Sequence, residues 1–174
     1  GGGVELPFGG VGNSGFGREK GLEALNGFST LKTIAVNHGW IWMDLLGKKA
    51  IITGGASGFG YGIAKCFIEN GSKVIIADIN KKLINEKSRE LGENAFAMHT
   101  DVSDLKSVER LREFSYETLG DIDIIVNNAG ITHDPNPLED ISLENFENVL
   151  NVNVRSVFLM SKCFIPKMKK RKSG

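Results

Sequence analysis

The sequence is poor in the residue types that mark a metal centre, a disulfide scaffold or a membrane span. Its two cysteines, Cys66 and Cys163, each sit inside an apolar helical pattern, which fits buried reduced thiols and points to the cytoplasm. Its three histidines, His38, His99 and His133, lack metal-ligand spacing, so no metal site is expected. No apolar run reaches the ~18 residues a membrane helix needs, and no signal peptide is visible. Charge of one sign is also missing: 21 Lys and Arg balance 21 Asp and Glu, which argues against nucleic acid or an acidic membrane as a partner. The basic run Lys167–Lys172 has no interleaved aromatics and reads as the solvated end of a helix, whose dipole it suits. The chain opens on three glycines rather than Met, which suggests a fragment.

What is present is ordinary globular composition, 41% hydrophobic and 24% charged over 174 residues, enough for one domain. Residues 1–17 hold eight glycines and read as loop; a short helix fits Arg18–Gly27 and a strand Lys32–Val36. This piece is too small to enclose a core. Residues 37–44, with Trp40 and Trp42, form a junction. From Lys48 a regular alternation begins. Strands are expected at Ala50–Thr53, Lys73–Asp78, Ala95–His99 and Ile122–Asn127, with helices over 59–70, 81–91, 104–119 and 142–170. Strands alternating with helices imply βαβ units, and continuous apolar strands imply cover on both faces. The expected fold is an α/β, Rossmann-like doubly wound parallel sheet of order 3-2-1-4, truncated, with an irregular N-terminal extension. In the last helix Ser142 is a natural N-cap, with Asn145 three residues on. Phe146, Val149, Leu150, Val154, Val157, Phe158 and Phe164 recur at helical spacing as a core stripe, and Pro166 should end or kink the helix.

The chemistry gathers at Ala50–Lys65, AIITGGASGFGYGIAK. A strand, a glycine-rich turn and a helix start bring backbone N–H groups and a positive helix end to one point, which suits a pyrophosphate. The commonest dinucleotide fingerprint, G-x-G-x-x-G, fails because position 63 is Ile, and a phosphate-loop reading fails because Tyr61 stands where Lys is needed. The pattern that fits is T-G-x-x-x-G-x-G, as Thr53, Gly54, Gly58 and Gly60, with Ser57 and Phe59 inside it.

Here the sequence resembles the short-chain dehydrogenase/reductase family, from about Met43 to Gly174, and residues 45–174 are read as its NAD-binding half. Asp78, with Ile79 after it, ends the second strand 18 residues beyond Gly60. An acid at that distance can accept hydrogen bonds from the adenosine ribose and repels a 2′-phosphate. With Ser57 where NADP-preferring relatives often carry a base, NAD is favoured; Lys81 and Lys82 leave some NADP use open. A strand-end cap is the competing reading of Asp78. The resemblance implies that Asp101 and Val102 sit beside the adenine, while Asp101 or Ser103 could also cap the next helix. It implies that Asn127-Asn128-Ala129-Gly130 supports the sheet and lines the cofactor. Asn153 resembles the family's active-site asparagine, whose backbone distorts a helix and holds a water in a proton relay.

The resemblance further implies hydride transfer between an alcohol or carbonyl carbon and nicotinamide, on a small-molecule substrate, in a homo-oligomer when full length. The family's catalytic Ser, Tyr and Lys are expected after Gly174, so the chain as given should be inactive. Tyr61-Gly-Ile-Ala-Lys65 spells the family's Y-x-x-x-K, yet it lies beside the phosphate cradle and is read as chance. Residues 5–36 resemble the extreme C-terminus of aldehyde dehydrogenases, through Pro7-Phe8-Gly9-Gly10, Ser14-Gly15-Phe16-Gly17-Arg18 and the Lys32 strand. Residues 1–36 are thus expected to be such a tail, with two neighbouring genes read as one frame and Met43 the normal start of the second. Three functions follow: a truncated NAD-dependent oxidoreductase, a non-catalytic dinucleotide-binding module, or the joint of a two-enzyme fusion.

Overall fold

A computed structural model describes residues 45–133 and 135–173; the expected N-terminal tail and the junction lie outside them. Four strands, β1 (Lys49–Thr53), β2 (Lys73–Asp78), β3 (Ala95–His99) and β4 (Ile124–Val126), form one parallel sheet of order β3-β2-β1-β4. The expected order is the one observed. Ile51 stands opposite Ile75 and Ile125, and Ile52 opposite Ile76 and Val126. β4 is shorter than expected, because Ile122 and Asp123 precede the ladder and Asn127 follows it.

Alternate side chains of each strand serve opposite layers. Ile51, Ile75 and Ala77 pack with Val108, Leu111, Leu159, Met160 and Phe164 on one face. Ala50, Ile52, Val74 and Ile76 pack with Ala56, Ala64 and Ile84 on the other. The helices responsible are α1 (Gly58–Glu69) and α2 (Lys81–Leu91) on the second face, and α3 (Leu105–Leu119) and α5 (Ser156–Arg171) on the first. Cover on both faces explains why β1 and β2 are continuous apolar runs.

The long final helix is not uniform. It starts as α4 (Leu143–Leu150), where the Ser142 hydroxyl accepts the Asn145 amide as expected. It then passes through a π-helical segment, Asn151–Arg155, before α5. Two expectations fail here and nearby, and a third, for Pro166, loses one of its two outcomes. Of the seven-residue core stripe, Phe164 is fully buried, whereas Phe146, Leu150, Val154, Val157 and Phe158 are 41–63% exposed. The buried face of α5 is instead Ser156, Leu159, Met160 and Phe164. Pro166 does not stop the helix, which runs on to Arg171. Pro166 and Lys162 are both exposed, so the Lys162 carbonyl that loses its helical donor lies on the solvent side of the helix. Beyond it, Arg171 bonds the Ile122 carbonyl and Asp123, and Lys167 pairs with Asp121. Finally, Cys66 is exposed rather than buried, while Cys163 is partly buried, and burial raises its thiol pKa. Both thiols are free.

The strand order reverses between β1 and β4. In an open α/β sheet that switch point opens a crevice at the carboxyl ends of the strands.

Candidate functional site

The crevice is present where the topology puts it. A cavity of about 490 Å³ is lined by Gly54, Ser57, Phe59, Asp78, Ile79, Asp101, Val102, Asn128, Ala129 and Gly130. These are all the expected cofactor-site residues except Gly58 and Gly60. Ala77, Thr100, Ile131 and Val152 complete the lining, and sequence reasoning missed them. Each directly adjoins an expected site residue (Asp78, Asp101, Gly130 or Asn153), so adjacency was the available signal.

Gly58 and Gly60 shape the cradle from behind. A Cβ on Gly60 would lie 2.1 Å from the Gly54 carbonyl oxygen and 2.6 Å from Asn128 Nδ2. The helix start is thus packed directly on the turn after β1. Gly54 and Gly58 take positive φ, 64° and 51°, a conformation open to glycine at little cost. The first turn of α1 differs from its counterparts. α2, α3 and α4 are capped by the side chains of Asn80, Asp104 and Ser142, whereas Ser57 makes no side-chain cap to α1. The leading N–H groups of a helix have no partner within it. Here no side chain takes their place, and the positive helix end borders the cavity through Ser57 and Phe59. Such a cradle fits an anionic diphosphate.

Thr53 holds the two sides of the switch point together, a role that its place in the glycine pattern did not reveal. Its hydroxyl, 2% exposed, donates to the Val126 carbonyl at 3.2 Å and accepts the amides of Asn128 and Ala129, each at 3.0 Å. Asn128 answers with its side-chain amide on the carbonyls of Thr53 (2.9 Å) and Gly54 (3.3 Å). The Asn-Asn-Ala-Gly turn and the glycine turn are therefore one hydrogen-bonded unit, 75 residues apart in sequence.

Asp78 sits at the rim with both oxygens engaged: Oδ2 accepts the Ala56 amide at 3.1 Å and Oδ1 the Asn80 amide at 2.9 Å. Asp101 Oδ1 accepts the amide and hydroxyl of Ser103 at 2.9 and 2.6 Å. Neither Asp101 nor Ser103 caps α3; Asp104 does, through the amides of Lys106 and Ser107. Asn153 lies inside the π-helical segment, and its side chain clasps the loop after β4. Its Oδ1 accepts the Ile131 amide and its Nδ2 donates to the Ile131 carbonyl, both at 2.9 Å.

The Tyr61–Lys65 pattern is placed away from this cavity. Tyr61 donates to Glu90 Oε1 at 2.7 Å, and Lys65 pairs with Glu69. The Glu90 carboxylate, by accepting a hydrogen bond from the protonated phenol, raises the Tyr61 pKa. A proton-transferring tyrosine needs the opposite shift.

Residues 48–174 match the sequence model of the short chain dehydrogenase family. The chain belongs to that family. Zerumbone synthase of Zingiber zerumbet is 43% identical over 134 residues, covering 73% of this chain and 50% of the relative. Xanthoxin dehydrogenase of Arabidopsis thaliana is 39% identical over 124 residues, covering 68% and 44%. Among solved structures, a 3-ketoacyl-(acyl-carrier-protein) reductase from Brucella melitensis complexed with NADH superposes with a TM-score of 0.71 at 42% identity, covering 72% of this chain and 52% of that one. The chain spans about half the length of the curated relatives it matches. No helix among the described residues is long and apolar enough to cross a membrane.

Proposed function

We propose that residues 45–174 are the NAD-binding half of a short-chain oxidoreductase that moves hydride between an alcohol or carbonyl carbon and nicotinamide. One observation carries this reading: the switch-point cavity gathers the glycine turn, Asp78, Asp101-Val102 and Asn128–Gly130 on a single wall-to-wall lining. In this assignment Gly54, Gly58, Gly60 and the first turn of α1 hold the pyrophosphate. Asp78 and Ile79 hold the adenosine ribose, and Asp101 and Val102 the adenine. Asn128, Ala129 and Gly130 lie along the path to the nicotinamide. Nicotinamide, when bound, supplies the hydride acceptor or donor; the protein binds and orients it. Asn153 is the catalytic-site residue within this stretch. Both ends of its side-chain amide are committed to Ile131, so a relay water would be held by its backbone carbonyl.

NAD is preferred over NADP because a carboxylate, not a base, stands at the ribose position. The NADH in the Brucella relative's structure is consistent with this, being a property of that protein. A serine, tyrosine and lysine placed as in the family do not occur in 45–174, so we assign this stretch to cofactor binding and expect no turnover from it alone. The whole enzyme is placed in the cytoplasm as a homo-oligomer acting on a small molecule. The exposed apolar stripe of α4 and α5 supports self-association. The aldehyde-dehydrogenase reading of residues 1–36, with 37–44 as junction, rests on the residues quoted above; sequencing the locus tests it, since two intact enzymes in one frame would make the fusion genuine.

Calorimetric titration of the 174-residue chain tests the central claim. NADH should bind at least about tenfold more tightly than NADPH, the equivalent of one good charge-assisted contact. Absence of binding by either sinks the dinucleotide reading, and tighter NADPH binding sinks the preference. Turnover of any alcohol or carbonyl by this chain would refute the assignment to binding alone.

A further inference from the structure

Asp78 does more than face the cleft: we propose that it is the positioning residue of the glycine turn, a task separate from the repulsion its charge offers a 2′-phosphate. The proposal rests on the dinucleotide reading above and adds a second task for the same carboxylate. Oδ2 accepts the amide of Ala56, in the middle of the glycine turn. Oδ1 accepts the amide of Asn80, whose own side chain caps α2 through Leu83. One side chain thus ties the turn after β1 to the first turn of α2, across 22 residues of sequence. Ala56 is 1% exposed, so in the parent chain its amide depends on this carboxylate for a partner.

The arithmetic of acceptors lets both tasks coexist. An ionised carboxylate offers about four lone-pair sites. Two are used by the Ala56 and Asn80 amides, which leaves two, the number that a vicinal ribose diol requires. Charge and anchoring are separable by substitution. Asp78→Asn removes the charge and keeps an oxygen for one of the two amides. Asp78→Glu keeps the charge but, one methylene longer, cannot hold both amides at their present distances. Asp78→Ala removes both functions.

Amide hydrogen exchange at Ala56 and Asn80, read by NMR on the nucleotide-free 174-residue chain, reports anchoring directly; calorimetry with NADH and NADPH reports its consequence. Asp78→Ala should speed exchange at Ala56 by about tenfold or more and weaken both nucleotides by at least that factor, the loss expected for a charge-assisted bond. Asp78→Asn should slow that exchange again, weaken NADH about tenfold and strengthen NADPH. Asp78→Glu should speed exchange while NADPH stays excluded, and it replaces the alanine variant if that one does not fold. Unchanged Ala56 exchange in both Asp78→Ala and Asp78→Glu would overturn the proposal. So would an Asp78→Ala chain that binds NADPH better than the parent. Failure of the parent chain to bind NADH would refute the dinucleotide reading instead, and the exchange measurement would still decide the anchoring.

Discussion

Three glycines within five residues, Gly58, Gly60 and Gly62, should respond to the same substitution with three different outcomes. At Gly60 an alanine Cβ would stand 2.1 Å from the Gly54 carbonyl oxygen and 2.8 Å from its carbon. Those atoms are backbone, and Gly54 is itself tied through its amide to the Ala77 carbonyl at 2.8 Å, so the turn cannot yield cheaply. The start of α1 must back away by about an ångström, and Asn128 Nδ2, 2.6 Å from the same Cβ, is pushed off the Thr53 and Gly54 carbonyls. Overpacking costs about 1–3 kcal/mol and each lost hydrogen bond about 1 kcal/mol, so Gly60→Ala should cost about 3–5 kcal/mol. Gly58 has open space around its missing Cβ but a φ of +51°, so its alanine variant should lose only about 1 kcal/mol. Gly62 has open space and sits inside α1 without a positive φ. There alanine should stabilise by up to about 1 kcal/mol through helix propensity. Urea unfolding followed by far-UV circular dichroism, compared at constant m-value, gives the three differences. The packing argument is wrong if Gly60→Ala costs no more than Gly58→Ala, and the propensity argument is wrong if Gly62→Ala destabilises.

Thr53→Val, close to isosteric, should cost about 2 kcal/mol in the same assay, because it strands the Ala129 amide beside a methyl group and leaves the Asn128 amide only the Val126 carbonyl; a cost below about 1 kcal/mol would show that the hydroxyl does not join the two turns. Lys167, 3.0 Å away, holds the Asp121 carboxyl below its ordinary value of 3.8, with Arg171 adding to the effect. A depressed carboxyl contributes stability above its ordinary pKa and loses it as pH falls through the lower folded value. The gap in urea midpoint between the parent and Asp121→Asn should therefore be present at neutral pH and close in strong acid; a gap independent of pH would refute the pairing. Replacing Phe146 and Phe158, 52% and 63% exposed, by Glu should leave the thermal midpoint nearly unchanged and reduce concentration-dependent association in sedimentation runs. A large loss of stability would mean that these rings pack within the chain.

The sheet was legible because β1 and β2 carry unbroken apolar runs, Ala50–Ile52 and Val74–Ala77, that nothing but cover on both faces accommodates. Asp78 could be placed because strand end and glycine turn are separated by one βα unit of fixed length. Less local facts were not legible. Asp101, Ser103 and Asp104 are three good caps within four residues, and only the backbone path decides that Asp104 serves. Thr53's role depends on Asn128 and Ala129, partners that a reading of the first βα unit does not reach. The outward face of Cys66 depends on which side of α1 meets the sheet, which Ala64 decides, fully buried where Cys66 is exposed.

The misread stripe and the candidate site share one cause. Successive residues of an α-helix are about 100° apart, so positions seven apart nearly coincide in direction. A helix of uniform pitch that buries Met160 against the sheet would turn position 153 inward as well. The π-helical turn at Asn151–Arg155 inserts about one residue and rotates what precedes it by a similar angle. Asn153 is thereby exposed and meets both polar groups of Ile131's backbone, beside the Val152 and Gly130 walls of the cavity. The same rotation separates Phe146 and Leu150 from the face that carries Phe164, which is why helical periodicity alone joined them wrongly. A fault in the pitch, invisible to any fixed-period reading, thus sets both why Phe146 and Leu150 stay outside and where the one polar side chain of the candidate relay points.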